Sequence, residues 1–67
     1  MTKAEFEYGL QNAYIIIIDG VKNTINGYDI EEQVVYYDNP QGYENISRLD
    51  ELYNNRQHIE LFKLVKM

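Results

Sequence analysis

The 67-residue chain has room for one domain with one small core, and without cysteine it can form neither disulfides nor thiolate metal sites. A core this small needs further support, so we expect a homodimer. The net charge of −5 argues against direct binding to nucleic acid or to a membrane surface, and the longest apolar run, six residues, is too short for a membrane span or a signal peptide.

Residues 1–12 favour a short helix or a loose arm. Thr2 and Glu5 fit a capping box, and Phe6 and Leu10 would lie on one face of a helix. Phe6, Tyr8 and Leu10 also alternate as they would in a strand, which is the alternative for this segment.

Residues 14–18 predict a strand, because four successive isoleucines resist helix formation and suit a pleated surface. Both of its faces are apolar, which indicates a central strand or one covered on both sides. The Asp19-Gly20 pair predicts a turn after this strand, and the Asn26-Gly27 pair predicts a second turn. Between the two turns, residues 21–25 form either a short strand or an irregular excursion.

The second half of the chain predicts a strand, a loop, a short helix and a closing strand. The strand covers residues 33–37, and residues 38–42 form a loop, since Pro40 and Gly42 would interrupt a helix or a strand. Ser47 opens the helix, which ends at residues 54–55 and is too short to be stable without packing. Residues 58–67 alternate as a strand with apolar side chains on both faces, the alternative being a helix through Leu61, Leu64 and Val65.

These elements predict a single α+β domain over residues 1–67, in which a three-stranded antiparallel sheet carries one short helix in the order β-β-α-β. Such a small sheet has edges that must be covered. Formation of a homodimer through an edge or a face would cover them and enlarge the core.

Residues 28–53 contain five tyrosines and carry the whole excess of negative charge, with seven acids against one base, Arg48. Carboxylates set among aromatic rings offer a partner negative charge together with flat, stackable surface. That combination suits a protein that binds where another protein expects a nucleic acid, although acidity also serves solubility alone. There is no glycine-rich phosphate loop, no nucleophile elbow and no His/Cys pair, so we expect neither an enzyme nor a cofactor. The seven acids are Asp29, Glu31, Glu32, Asp38, Glu44, Asp50 and Glu51.

The end of the chain resembles a family of small dimeric proteins, the uracil-DNA glycosylase inhibitors encoded by bacteriophages. The resemblance covers about the last 26 residues: Leu52-Tyr53 ends a two-turn helix, asparagine follows, and a closing strand alternates Ile, Leu and Lys. It implies a homodimer in the host cytoplasm that mimics DNA and blocks the DNA-binding site of a host uracil-DNA glycosylase. Two departures are the longer segment 20–30 and Leu49, where the family has phenylalanine.

By this resemblance, the acids Glu31, Glu32, Asp38, Asp50 and Glu51 would stand in for phosphates. Leu49, Leu52 and Tyr53 from two subunits would form an apolar pocket for the side chain that the glycosylase pushes into DNA. The alternative for Leu49 and Leu52 is that they hold the helix on its sheet. Two other functions compete: a DNA mimic directed at a CRISPR nuclease or restriction enzyme, and a small structural or regulatory dimer.

Overall fold

The structure, a computed structural model, describes residues 1–63, which form one antiparallel sheet with two α-helices on one of its faces. The five strands lie in the order β4-β3-β2-β1-β5. The predicted α+β class is confirmed, whereas the three-stranded β-β-α-β arrangement with a single helix is wrong. The elements are α1 (Lys3–Asn12), β1 (Ile15–Ile18), β2 (Val21–Asp29), β3 (Val34–Asp38), β4 (Glu44–Arg48), α2 (Leu49–Asn54), a 3₁₀ turn (Arg56–His58) and β5 (Ile59–Phe62).

The capping box at the start of α1 determines where this helix begins. The Thr2 hydroxyl accepts a hydrogen bond from the Glu5 amide at 3.1 Å, and the Glu5 carboxylate accepts one from the Thr2 amide at 2.8 Å. The bond from the Thr2 amide to the carboxylate, with a smaller effect of the Thr2 side chain, lowers the pKa of Glu5. Phe6 and Leu10 are buried on the inner side of the helix, so the helix prediction is confirmed and the alternating-strand alternative is wrong.

A two-residue turn joins β1 to β2. Asp19 and Gly20 both have positive φ, 50° and 82°, as a type I′ hairpin turn requires, and the predicted turn is confirmed. Ile16 is completely buried in an interior strand, between Asn23 of β2 and Leu61 of β5, so the prediction that this strand has neighbours on both sides is also correct.

The turn predicted at Asn26-Gly27 is wrong, because this pair lies inside β2. The strand continues to Asp29 and pairs with β3 on both sides of a bulge between Ile25 and Gly27. Because β2 continues, its backbone forms hydrogen bonds with β3 that a turn at this point would not allow. The bulge accommodates the one extra residue in β2. The chain reverses at residues 30–33 instead, where Gln33 has a positive φ of 55°.

Strand β4 was missed by the sequence prediction, which starts a helix at Ser47. The Ser47 and Tyr37 hydroxyls share a hydrogen bond of 2.7 Å across the β3–β4 pair, so Ser47 serves the sheet. Helix α2 therefore begins at Leu49, with Arg48 at the N-cap and no side-chain capping bond. The predicted end of the helix at residues 54–55 is confirmed.

The core lies between the sheet and the two helices. The closing strand is confirmed over Ile59–Phe62, with Ile59 in the core and Phe62 half-exposed on the opposite face, while its predicted continuation through residues 64–67 lies outside the described residues. Among residues 1–63, no helix is long and apolar enough to cross a membrane. The sheet face without helices is called the open face below. The core side chains are Phe6, Leu10, Ile16, Val35, Leu49, Leu52 and Ile59.

Candidate functional site

The acids of residues 28–53 all lie in one half of the sheet, which we call the acidic half: the end of β2, the turn 30–33, β3, β4 and α2. The strand order separates this half from β1 and β5, so a cluster in sequence becomes a cluster in space. The acidic half has seven acids and one base, Arg48, whereas the other described residues have four acids and four bases. Those balanced residues are Glu5, Glu7, Asp19 and Glu60 with Lys3, Lys22, Arg56 and Lys63.

Five of the seven acids lie at the end of the sheet where β2 turns into β3 and α2 begins. The amide of Leu49 donates a hydrogen bond to the carbonyl oxygen of Gln33 at 2.8 Å, which places the start of α2 against the turn. The Asp29 carboxylate accepts a bond from the Glu32 amide at 3.0 Å and so shapes that turn. The acids at this end are Asp29, Glu31, Glu32, Asp50 and Glu51, and all except Asp29 are exposed.

Asp50, a predicted partner-binding residue, already has a partner within the chain. Its carboxylate forms a salt bridge with the ammonium group of Lys3 on α1. The hydrogen bond and charge of Lys3, with a smaller effect of Arg48, lower the pKa of Asp50. This carboxylate is therefore partly neutralised, whereas Glu31, Glu32 and Glu51 form no salt bridge among the residues that the structure describes.

Glu7 adds a carboxylate to this end of the sheet from outside the acidic segment. The Tyr28 hydroxyl donates a hydrogen bond of 2.7 Å to Glu7. Burial, followed by this bond and the charges of Glu7, Asp29 and Asp50, raises the pKa of Tyr28 well above its usual range. Sequence reasoning missed Glu7: its spacing of four places it on the same side of α1 as Lys3, but only the contacts with Tyr28 and Asp50 show that this side meets the acidic half.

Two further acids face each other across β3 and β4 on the open face. Asp38 lies opposite Glu44, and like charges in this position destabilise a sheet. The side-chain amide of Asn26 relieves the repulsion, since it donates to Asp38 at 2.9 Å and to Glu44 at 3.0 Å. Asp38 was predicted as a partner-binding residue; Glu44 was not, because its position depends on the unpredicted strand β4.

The predicted apolar pocket is not on the surface of the described chain. Leu49 and Leu52 are only 1% and 6% exposed and belong to the core, in agreement with the alternative that they hold the helix on its sheet. Tyr53 also forms contacts within the chain: its ring packs edge-on against Phe6 and lies 4.2 Å from the Arg56 guanidinium. Its hydroxyl donates to the Met1 carbonyl oxygen at 3.0 Å.

A different apolar surface lies beside the acids. A shallow depression of about 620 Å³ is lined by Tyr28, Ile30 and Tyr36 together with the acidic residues Asp29 and Glu31. Ile30 is 63% exposed at its rim. The acidic half therefore presents carboxylates next to apolar and aromatic surface, the combination that the sequence predicts, but on the turn 30–33 and not on α2.

Comparisons of the chain with protein-family models, with curated proteins and with solved structures find no match. Within residues 1–63, no three histidine or acidic side chains are grouped closely enough to hold a metal ion. The functional interpretation therefore depends on the charges and surfaces described above.

Proposed function

We propose that this protein is a non-catalytic inhibitor that occupies the nucleic-acid-binding site of another protein. The observation that supports the proposal is the segregation of seven acids in one half of the sheet, while the remaining described residues are electrically balanced. A protein that is acidic only for solubility has no need to collect its acids in one place. Segregated charge steers association with a basic surface and discriminates against acidic ones.

The exposed carboxylates Glu31, Glu32 and Glu51 would occupy positions that the target reserves for phosphates. Proteins that bind DNA direct half or more of their hydrogen bonds to phosphate and sugar, so an acidic surface competes for much of the site. The depression beside Ile30 and Tyr36 would accept an apolar or aromatic side chain that the target normally inserts between bases. Leu49 and Leu52 are not required for this contact.

A bacterial uracil-DNA glycosylase is the target that we propose, on the basis of the resemblance in the last 26 residues. This enzyme class rotates a base out of the duplex and inserts a side chain in its place, so it presents both features that the acidic half would engage. The test is a uracil-excision assay on duplex DNA with the purified enzyme and an equimolar amount of this protein. We expect excision to stop; unchanged excision at a large molar excess would exclude this target.

Two pairs of variants locate the contact surface. Replacement of Glu31 and Glu32 together by glutamine is expected to slow association with the target and to reduce its dependence on salt. Glu60→Gln, which removes one carboxylate outside the acidic half, is the control and is expected to bind as the wild type does. An equal loss per carboxylate removed in the two variants would show that net charge alone drives binding and would contradict the assigned surface.

The apolar contact is tested in the same assay by Ile30→Ser. Because Ile30 is 63% exposed, the substitution leaves the fold intact and removes surface only at the depression. The control is Val21→Ser, which removes a half-exposed apolar side chain at the start of β2. We expect weaker inhibition from Ile30→Ser alone; equal inhibition by the two variants would remove the depression from the site.

A further inference from the structure

Among residues 1–63, strand β4 lies at one end of the strand order and pairs only with β3, so it forms a free edge of the sheet. The Asn39 amide bonds to the Tyr43 carbonyl oxygen, and the Leu49 amide bonds to the Gln33 carbonyl oxygen. Antiparallel strands alternate between hydrogen-bonded and non-bonded residue pairs, so residues 43, 45, 47 and 49 face β3. The backbone groups of Glu44, Ile46 and Arg48 consequently face outward.

The side chains of these three outward-facing residues are arranged symmetrically. Ile46 is at the centre of β4 and is 61% exposed, with Glu44 two residues before it and Arg48 two residues after it. All three side chains project from the open face, since they alternate with Asn45 and Ser47. An acid and a base at equal distances from a central apolar residue form a pattern that is complementary to its own antiparallel copy.

We propose that β4 pairs with β4 of a second copy of this chain, antiparallel and centred on Ile46. A two-fold axis between the two Ile46 residues then places each Glu44 opposite Arg48 of the other copy. The pairing adds about four backbone hydrogen bonds between the copies, because the carbonyl of Arg48 is already used at the start of α2. Two five-stranded sheets become one continuous sheet, and the free edge disappears.

Charge complementarity is the reason to assign this edge to a second copy. Arg48 is the single base of the acidic half, and within one chain the acid opposite Glu44 is Asp38, a like charge. The second copy brings a base to that acid pair. The pairing also joins the two acidic halves at the centre of the dimer into one acidic surface. This inference concerns self-association and is independent of the identity of any target.

The decisive experiment is a charge swap, read by sedimentation equilibrium of the full chain. We expect the wild type to be a dimer, and Glu44→Arg or Arg48→Glu alone to weaken it by roughly tenfold or more, because the axis makes each substitution alter two cross-strand pairs. The double variant with both changes is expected to recover the wild-type dissociation constant. Glu31→Arg, on the turn 30–33, has the same change in charge as Glu44→Arg and serves as its control.

A monomeric wild type at high concentration would overturn the proposal, as would a double variant that remains as weak as the single ones. Equal weakening by Glu31→Arg would also overturn it, because the effect would then be one of net charge. Capture of a target strand by this edge, with no self-association, would assign the edge to the target instead.

A second measurement does not depend on the charged variants folding. The chain has no cysteine, so Ile46→Cys introduces a single thiol. The proposed pairing puts the two thiols on residues about 5.5 Å apart at Cα, within the range for a disulfide. We expect rapid crosslinking of Ile46→Cys under mild oxidation and slow crosslinking of Tyr43→Cys, which is exposed but three residues from the axis on each strand. Equal rates would refute this pairing.

Discussion

The substitution Leu49→Ala separates a core role for this residue from a role in partner binding. The side chain is 1% exposed and packs in the cluster between helix and sheet. Removing a buried leucine side chain costs about 2–5 kcal/mol, of which the cavity that remains accounts for a variable share. A chain of this length has a total free energy of unfolding of about 3–10 kcal/mol at the usual stability per residue.

The stability lost in Leu49→Ala is therefore a large fraction of the total free energy of unfolding, and the variant should be partly unfolded at room temperature. Urea unfolding followed by circular dichroism at one fixed protein concentration measures it, since self-association would otherwise shift the midpoint. Tyr43→Ala is the matched control: its side chain is 72% exposed, and its expected change is within about 0.5 kcal/mol. A Leu49→Ala loss as small as that of the control would refute the core assignment and return Leu49 to the partner surface.

Three further predictions test the fold and its electrostatics. Gly20→Ala should destabilise the protein by about 1 kcal/mol because Gly20 has positive φ. Gly27→Ala should not, since Gly27 lies in a strand with open space around it. A loss of stability at Gly27 alone would restore the turn predicted there. Thr2→Ala should lower the unfolding free energy by about 1 kcal/mol through loss of the N-cap, and an unchanged value would indicate that α1 does not depend on the cap. Asp50→Asn should lower the melting temperature at neutral pH only. Because the pKa of Asp50 is lowered in the folded state, its carboxylate stabilises the fold above the pKa of the unfolded state, and this contribution is lost as the pH falls through the folded-state pKa. A difference in melting temperature that persists in strong acid would exclude the salt bridge with Lys3 as its cause.

Sequence reasoning found the elements whose signals are local. The isoleucines of β1 and the capping residues Thr2 and Glu5 each determine structure within a few positions, and both elements are confirmed. Strand β4 was missed, and β2 was left as one of two alternatives over residues 21–25, because both strands are polar: their stability comes from pairing with β3, which no local pattern reveals. The Asn26-Gly27 pair misled for the same reason, since pairing with β3 overrides the local preference for a turn.

The site was predictable in charge but not in geometry. Composition alone identified the acids, and the strand order then kept them together. Glu7 was missed because its contact with Tyr28 spans 21 residues. Leu49 lies in the core because a helix of six residues needs its apolar side chains for its own packing, and we therefore expect the surface for a partner to come from a loop such as residues 30–33.

Arg48 links the two proposals. A surface that imitates phosphates gains nothing from a base, yet the acidic half retains this one at its outer edge, on the same strand as Glu44, whose partner across the sheet is another acid. Among residues 1–63, Arg48 forms no salt bridge within the chain, whereas Asp50 is paired with Lys3. If the base instead meets Glu44 of a second copy, it offsets part of the repulsion between two acidic halves at the point where they are closest. The dimer then depends on the opposite charges of Arg48 and Glu44 at the β4–β4 interface. Carboxylates farther from that interface remain accessible to a target.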